Sequence, residues 1–179
     1  FLMAAAITRS TLKVKPVVPE HLSSVLQKLR DCGCDLNIDG DGITITPGDL
    51  RAVDVTTQPF PGFPTDLQAP FMSLMAIAKG TSVISEKIYE NRMQHVAELQ
   101  RMGASIRLEG STAIVEGVPS LCGAPVTGSD LRASAAMVLA GLAAQGNTKV
   151  CGLKHLDRGY DDIEAKLLGV GARIERQSN

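Results

Sequence analysis

Glu98-Leu-Gln-Arg-Met-Gly103-Ala-Ser-Ile106 has two relatives elsewhere in the same sequence, Lys28-Leu-Arg-Asp-Cys-Gly33-Cys-Asp-Leu36 and Lys166-Leu-Leu-Gly-Val-Gly171-Ala-Arg-Ile174. Their central glycines, Gly33, Gly103 and Gly171, stand 70 and 68 positions apart. A second landmark keeps nearly the same period: Thr11-Leu-Lys-Val14, Thr81-Ser-Val-Ile84 and Thr148-Lys-Val150 begin 70 and 67 positions apart. Two independent landmarks with one period identify a repeat architecture. The units run approximately over 1–51, 52–123 and 124–179.

Within a unit, apolar periodicity supplies the elements. Leu67, Phe71, Leu74, Met75 and Ala78 follow helical spacing, and Leu131, Ala135, Val138, Leu139 and Leu142 reproduce it. This pattern predicts a first helix with one apolar face, stopped by Gly80 or Gly146. A short strand follows (81–85, 148–152), then a second helix, which buries Leu22, Val25, Leu26 and Leu29 in the first unit and Tyr160, Ile163 and Leu167 in the third. Gly33, Gly103 and Gly171 fall where a helix C-terminus needs positive φ. Period-2 runs come next, 35–39 with 42–46 and 105–109 with 113–116, and Asp39-Gly40 and Glu109-Gly110 supply turn residues for two hairpins. Extended segments at 52–57 and 124–127 precede the first helices of units two and three. The fold class is therefore α/β, three βαβαββ units. Phe1 aligns with Phe71, inside a helix, so the first unit is expected to be truncated, lacking its opening strand and helix start.

Composition limits what such a domain can do. Aromatic residues make up 3% of the chain with no Trp, which argues against stacking platforms for nucleic-acid bases. A formal net charge of -1 leaves no electrostatic footprint for DNA or RNA, so any anion site must be local. Cys32, Cys34, Cys122 and Cys151 do not match a zinc spacing and read as buried free thiols in a reducing compartment. No apolar run is long enough to span a bilayer.

The polar residues cluster at predicted helix starts, which equivalent units place at one end of the domain. Asp66 in Pro64-Thr-Asp-Leu-Gln68 and Asp130 in Gly128-Ser-Asp-Leu-Arg132 are equivalent, as are Arg92 and Arg158. N-capping by Thr65 and Ser129 accounts for the aspartates taken singly. It does not account for Arg92, Arg132 and Arg158 near helix starts, where the helix dipole disfavours cations unless anions compensate them. Converging guanidinium groups suit phosphates and carboxylates.

These segments resemble the UDP-N-acetylglucosamine 1-carboxyvinyltransferase family, in its C-terminal lobe only. The resemblance is carried by Phe63-Pro-Thr-Asp-Leu-Gln-Ala69, Ile88-Tyr-Glu-Asn-Arg-Met93, His95-Val with Glu98-Leu and Arg101-Met-Gly-Ala104, Ser129-Asp-Leu-Arg-Ala-Ser-Ala135 and His155-Leu-Asp-Arg-Gly-Tyr160. It implies one lobe of an inside-out α/β barrel whose partner lobe is absent. The implied reaction moves the enolpyruvyl group of phosphoenolpyruvate to the sugar 3-hydroxyl, for peptidoglycan synthesis in the cytoplasm. The resemblance further implies Asp66 as general base, Ile88 as a sugar-nucleotide contact, Arg158 on the phosphate or carboxylate of phosphoenolpyruvate, and Arg92, Asp130 and Arg132 ordering the cleft. It implies no metal and no organic cofactor, and a general acid from the other lobe. Ser129 and Tyr89 stand where the family more often has Thr and Phe. A non-catalytic sugar-nucleotide-binding lobe and the related enolpyruvylshikimate phosphate synthase stay open as alternatives. The fragment alone is expected to be inactive.

Overall fold

In the computed structural model, residues 1–177 are described. Unit one comprises α1 (Leu2–Ile7), β1 (Leu12–Val14), α2 (Ser23–Asp31) and the hairpin β2 (Cys34–Asp39) and β3 (Gly42–Pro47). Unit two adds a leading strand: β4 (Val55–Thr56), α3 (Gln68–Met75), β5 (Thr81–Ser85), α4 (His95–Arg101), β6 (Ser105–Glu109) and β7 (Thr112–Glu116). Unit three contains β8 (Pro125–Thr127), α5 (Leu131–Ala143), β9 (Lys149–Cys151), α6 (Leu153–Leu156) and α7 (Ile163–Gly169).

The sheets repeat with the units. Unit two orders its strands β4-β5-β7-β6, β4 parallel to β5 and the rest antiparallel. Unit one has β1-β3-β2, the same order without the leading strand, so the flank of β1 that matches β4 carries no strand among the described residues. Unit three has only the parallel pair β8-β9. Residues 172–177 align with β6 but form no strand. A strand of that kind is made by its partner, and no counterpart of β7 lies among the described residues.

The central helices differ from the one-faced pattern read in the sequence. Every residue of α1 and of α3 is buried, including Gln68, Pro70 and Ser73, and α5 is buried along most of its first ten residues. The three helices pack on one another, with the sheets outside them. An interior helix needs no polar face. The Ser73 hydroxyl donates to the Ala136 carbonyl of α5 at 3.0 Å, whereas Gln68 Oε1 is buried without a partner among the described residues. The sheets cover this bundle through alternate residues, Ile43 and Ile45 of β3 and Ala113 and Val115 of β7. The lobe is thus inside-out as expected, although its three sheets stay separate and close no barrel.

Of three further expectations, one holds and two need adjustment. Gly33, Gly103 and Gly171 do take positive φ (101°, 91° and 95°) just past α2, α4 and α7. Gly80 and Gly146 also take positive φ, yet α3 and α5 end earlier, at Met75 and Ala143, so these glycines turn the chain into β5 and β9 instead of capping helices. All four cysteines are free, but only Cys32 and Cys34 are buried; Cys122 is exposed and Cys151 half-buried. Cys122 sits in a structural turn, its amide bonded to the Met102 carbonyl.

Candidate anion site at the start of the second and third units

Asp66 and Asp130 occupy equivalent places in the repeat but do different things. Asp130 is the N-cap of α5: its backbone is extended, and its carboxylate accepts from the amides of Arg132 (2.7 Å) and Ala133 (3.2 Å). Asp66 lies inside a 3₁₀ turn, Thr65–Leu67, whose N-cap is Pro64 and which has no side-chain cap. Its carboxylate is thereby left for other partners. Neither Thr65 nor Ser129 serves as the cap that either residue type suggests.

The partners of Asp66 are two arginines from different units. Its Oδ1 accepts from Arg92 Nη1 at 3.1 Å and from Arg132 Nε at 2.8 Å, with Arg132 Nη2 also 2.8 Å away in the ion pair. Among the described residues Oδ2 has no partner. The Arg132 hydrogen bond, its charge and the Arg92 contacts hold the Asp66 carboxyl below the usual carboxylate range. Arg92 is the more enclosed cation, its side chain 9% exposed, and its guanidinium stacks 4.4 Å above the Tyr89 ring. Arg92 precedes α4 and Arg158 lies between α6 and α7, so both sit in turns and not within a helix start. Arg158 is exposed and makes no hydrogen bond or ion pair among the described residues.

A cleft of about 220 Å³ opens beside Asp66, lined by His21, Ser24, Gln58, Phe60, Thr65 and Ile88 among others. The structure therefore brings Asp66, Arg92, Arg132 and Ile88 to one place, puts Asp130 just behind Arg132, and leaves Arg158 unattached. A larger cavity of about 550 Å³ lies elsewhere, between α1, α5 and the Gly171 turn; its lining has no carboxylate.

Glu86 was not singled out by the sequence. It is 3% exposed and its carboxylate accepts four hydrogen bonds: Thr57 Oγ1 (2.6 Å), Thr65 Oγ1 (2.9 Å), the Ile88 amide (2.8 Å) and the Tyr89 amide (3.0 Å). Burial works to raise this carboxyl; the hydrogen bonds outweigh it and hold it below the usual range. The repeat gives no hint of it, because Pro16 and the pair Gly152-Leu153 occupy the matching places.

His95, the first residue of α4, is 2% exposed, and burial pushes its imidazole down to about 4 despite the favourable charge of Asp130. Unfolded histidine titrates near 6.5, so between these values the unfolded chain binds more protons. Stability present above pH 6.5 is accordingly lost as pH falls toward 4, by about 1.4 kcal/mol per pH unit. Thermal midpoints at pH 7 and pH 5 check this. His95→Gln is expected to reduce the difference between them, and an unchanged difference would exclude His95 as its source.

Comparison with known proteins agrees with this architecture. Residues 1–167 match the sequence model of the family described as EPSP synthase (3-phosphoshikimate 1-carboxyvinyltransferase). Proteins named UDP-N-acetylglucosamine 1-carboxyvinyltransferase are 80% identical over 99% of this chain in Parasynechococcus marenigrum (strain WH8102) and 73% identical over 98% in Prochlorococcus marinus (strain MIT 9313). The chain spans 41% of the length of each of these relatives. Among solved structures, the enolpyruvyl transferase NikO from Streptomyces tendae superposes with a TM-score of 0.85 at 27% identity, over 96% of this chain and 41% of that one. EPSP synthase from Acinetobacter baumannii shares the fold, with a TM-score of 0.73 at 21% identity over 99% of this chain and 42% of that one.

Proposed function

The chain belongs to the EPSP synthase family, and from that premise we propose that it forms the C-terminal lobe of a UDP-N-acetylglucosamine 1-carboxyvinyltransferase. The observation that carries this reading is the convergence of Arg92 and Arg132, from successive units, on the single carboxylate of Asp66 at the mouth of the cleft. Guanidinium groups of this kind grip phosphates and carboxylates, which suits an anionic substrate. Phosphoenolpyruvate, with its phosphate and carboxylate, has that chemistry.

In the proposed reaction the sugar 3-hydroxyl attacks C2 of phosphoenolpyruvate as C3 gains a proton, and phosphate then leaves C2 as C3 gives up a proton, which restores the double bond. Asp66 Oδ2, the oxygen without a partner among the described residues, takes the hydroxyl proton. Arg92 and Arg132 hold the carboxylate ionised and stand ready for the charge that develops on the substrate. Ile88 borders the sugar-nucleotide cleft, and the unattached Arg158 is available to grip phosphoenolpyruvate. The acid that protonates C3 comes from a partner lobe. Peptidoglycan synthesis in the cytoplasm is the setting that this activity implies; no helix among the described residues is long and apolar enough to cross a membrane.

The test is phosphate release by the full-length protein. It should require both phosphoenolpyruvate and UDP-N-acetylglucosamine, whereas residues 1–179 alone should release none. Turnover with shikimate 3-phosphate instead of the sugar nucleotide would redirect the reading to the other branch of the family.

A further inference from the structure

We propose that Glu86 is a positioning residue that fixes the sugar-nucleotide wall and the base-bearing turn in one geometry, an inference that rests on the transferase reading above. Glu86 follows β5 and ties three separate segments together. Thr57 belongs to the stretch just after β4. Thr65 immediately precedes Asp66. Ile88 and Tyr89 form the loop that borders the cleft and carries the ring beneath Arg92. Thr57 completes the knot, since its hydroxyl donates to Glu86 and accepts from the Lys87 amide at 2.8 Å.

An ionised carboxylate can accept at both oxygens, and here both are used: Oε1 takes Thr57, Ile88 and Tyr89, while Oε2 takes Thr65. A charge buried to this degree persists only when hydrogen-bonded on all sides. The two backbone amides show why the side chain must be an acceptor. Without it, Ile88 N–H and Tyr89 N–H lose their partner and the loop no longer has one preferred conformation. Thr65 transmits the same constraint to Asp66, one residue along. Glu86 thus acts on the reaction through Ile88, Tyr89 and Asp66 without itself facing substrate.

Glu86→Gln preserves size but removes the charge, which weakens the acceptor for the Ile88 and Tyr89 amides, and replaces the oxygen that takes Thr65 by a donor amide. In the full-length enzyme, the variant is expected to raise KM for UDP-N-acetylglucosamine at least tenfold and to lower kcat, because small displacements of reacting groups are costly. KM for phosphoenolpyruvate should rise less than KM for the sugar nucleotide, since Arg132 and Arg158 have no tie to Glu86 and Arg92 has one only through Tyr89. Hydrogen–deuterium exchange gives a second readout that does not depend on activity. Peptides spanning 86–92 should exchange at least tenfold faster in the variant, while those spanning β7 should not change. Unaltered constants, or both KM values rising together, would overturn the proposal, as would unaltered exchange over 86–92. Should Glu86→Gln fail to fold, Thr57→Val, which removes one hydroxyl at nearly constant volume, is expected to show the same KM split in weaker form, and its absence also overturns the proposal. A wild-type protein without turnover would instead sink the transferase reading, and the exchange comparison would then decide on Glu86 by itself.

Discussion

Asp66→Ala is expected to lower kcat of the full-length enzyme by about 10²–10⁴-fold, the span typical of a general base, while the protein stays folded. The fold should tolerate the change because the Asp66 side chain is 60% exposed and caps no helix. Arg92 keeps its seat on Tyr89, and Arg132 keeps access to solvent. Activity within about tenfold of wild type would remove Asp66 from the role of base. The pH profile adds an independent check. A base works ionised, and the paired arginines hold this carboxyl below its ordinary value, so Asp66 should produce no acid limb in kcat/KM at neutral or mildly acidic pH. Arg132→Gln removes the strongest of those contacts. The acid limb should then move to higher pH, whereas a limb that stays in place would show that another group sets it.

The second large effect concerns the buried helix bundle. Phe71→Ala is expected to cost about 3–5 kcal/mol of stability, the range for truncating a fully buried aromatic side chain. Phe71 is 0% exposed, and its ring meets Phe63 edge-on, centroids 5.3 Å apart and planes at 65°. It also lies on α3, which packs against both other central helices, so the surrounding helices cannot collapse into the space without disturbing one another. Against a typical domain stability of about 5–15 kcal/mol, such a loss is severe. Denaturant unfolding provides the measure, and a loss below about 1.5 kcal/mol would mean that the bundle repacks freely.

Residues that act through the local backbone were readable in advance. Gly33, Gly103 and Gly171 mark the repeat because positive φ favours glycine, and the strands at 35–39 and 42–46 alternate because one face of the hairpin covers the bundle. Asp66, Arg92 and Arg132 could be nominated because a cation near a helix start asks for a compensating anion. Features set by contact between units were not readable. Gln68 and Ser73 look like surface residues in an isolated helix; in the fold Gln68 meets Met93 and Ser73 meets Ala136 of α5. Glu86 sits in the run Ser85-Glu86-Lys87 and reads as a solvated charge. Its partners Thr57 and Thr65 are 29 and 21 positions away, a distance over which no spacing rule operates.

The unlike behaviour of Asp66 and Asp130 bears on how a repeated chain comes to hold a single reactive centre. Duplication supplies matching carboxylates, and a strictly symmetric lobe would either cap both helices or leave both acids free. Here one copy opens its helix through a 3₁₀ turn and the other through a capped start. The first is left free for the role of base proposed above, while the second secures the helix that delivers Arg132. The two openings also differ in residues, Pro64-Thr-Asp-Leu-Gln68 against Gly128-Ser-Asp-Leu-Arg132, so the unlike turns accompany the exchange that places an arginine in one unit opposite the freed carboxylate of the other.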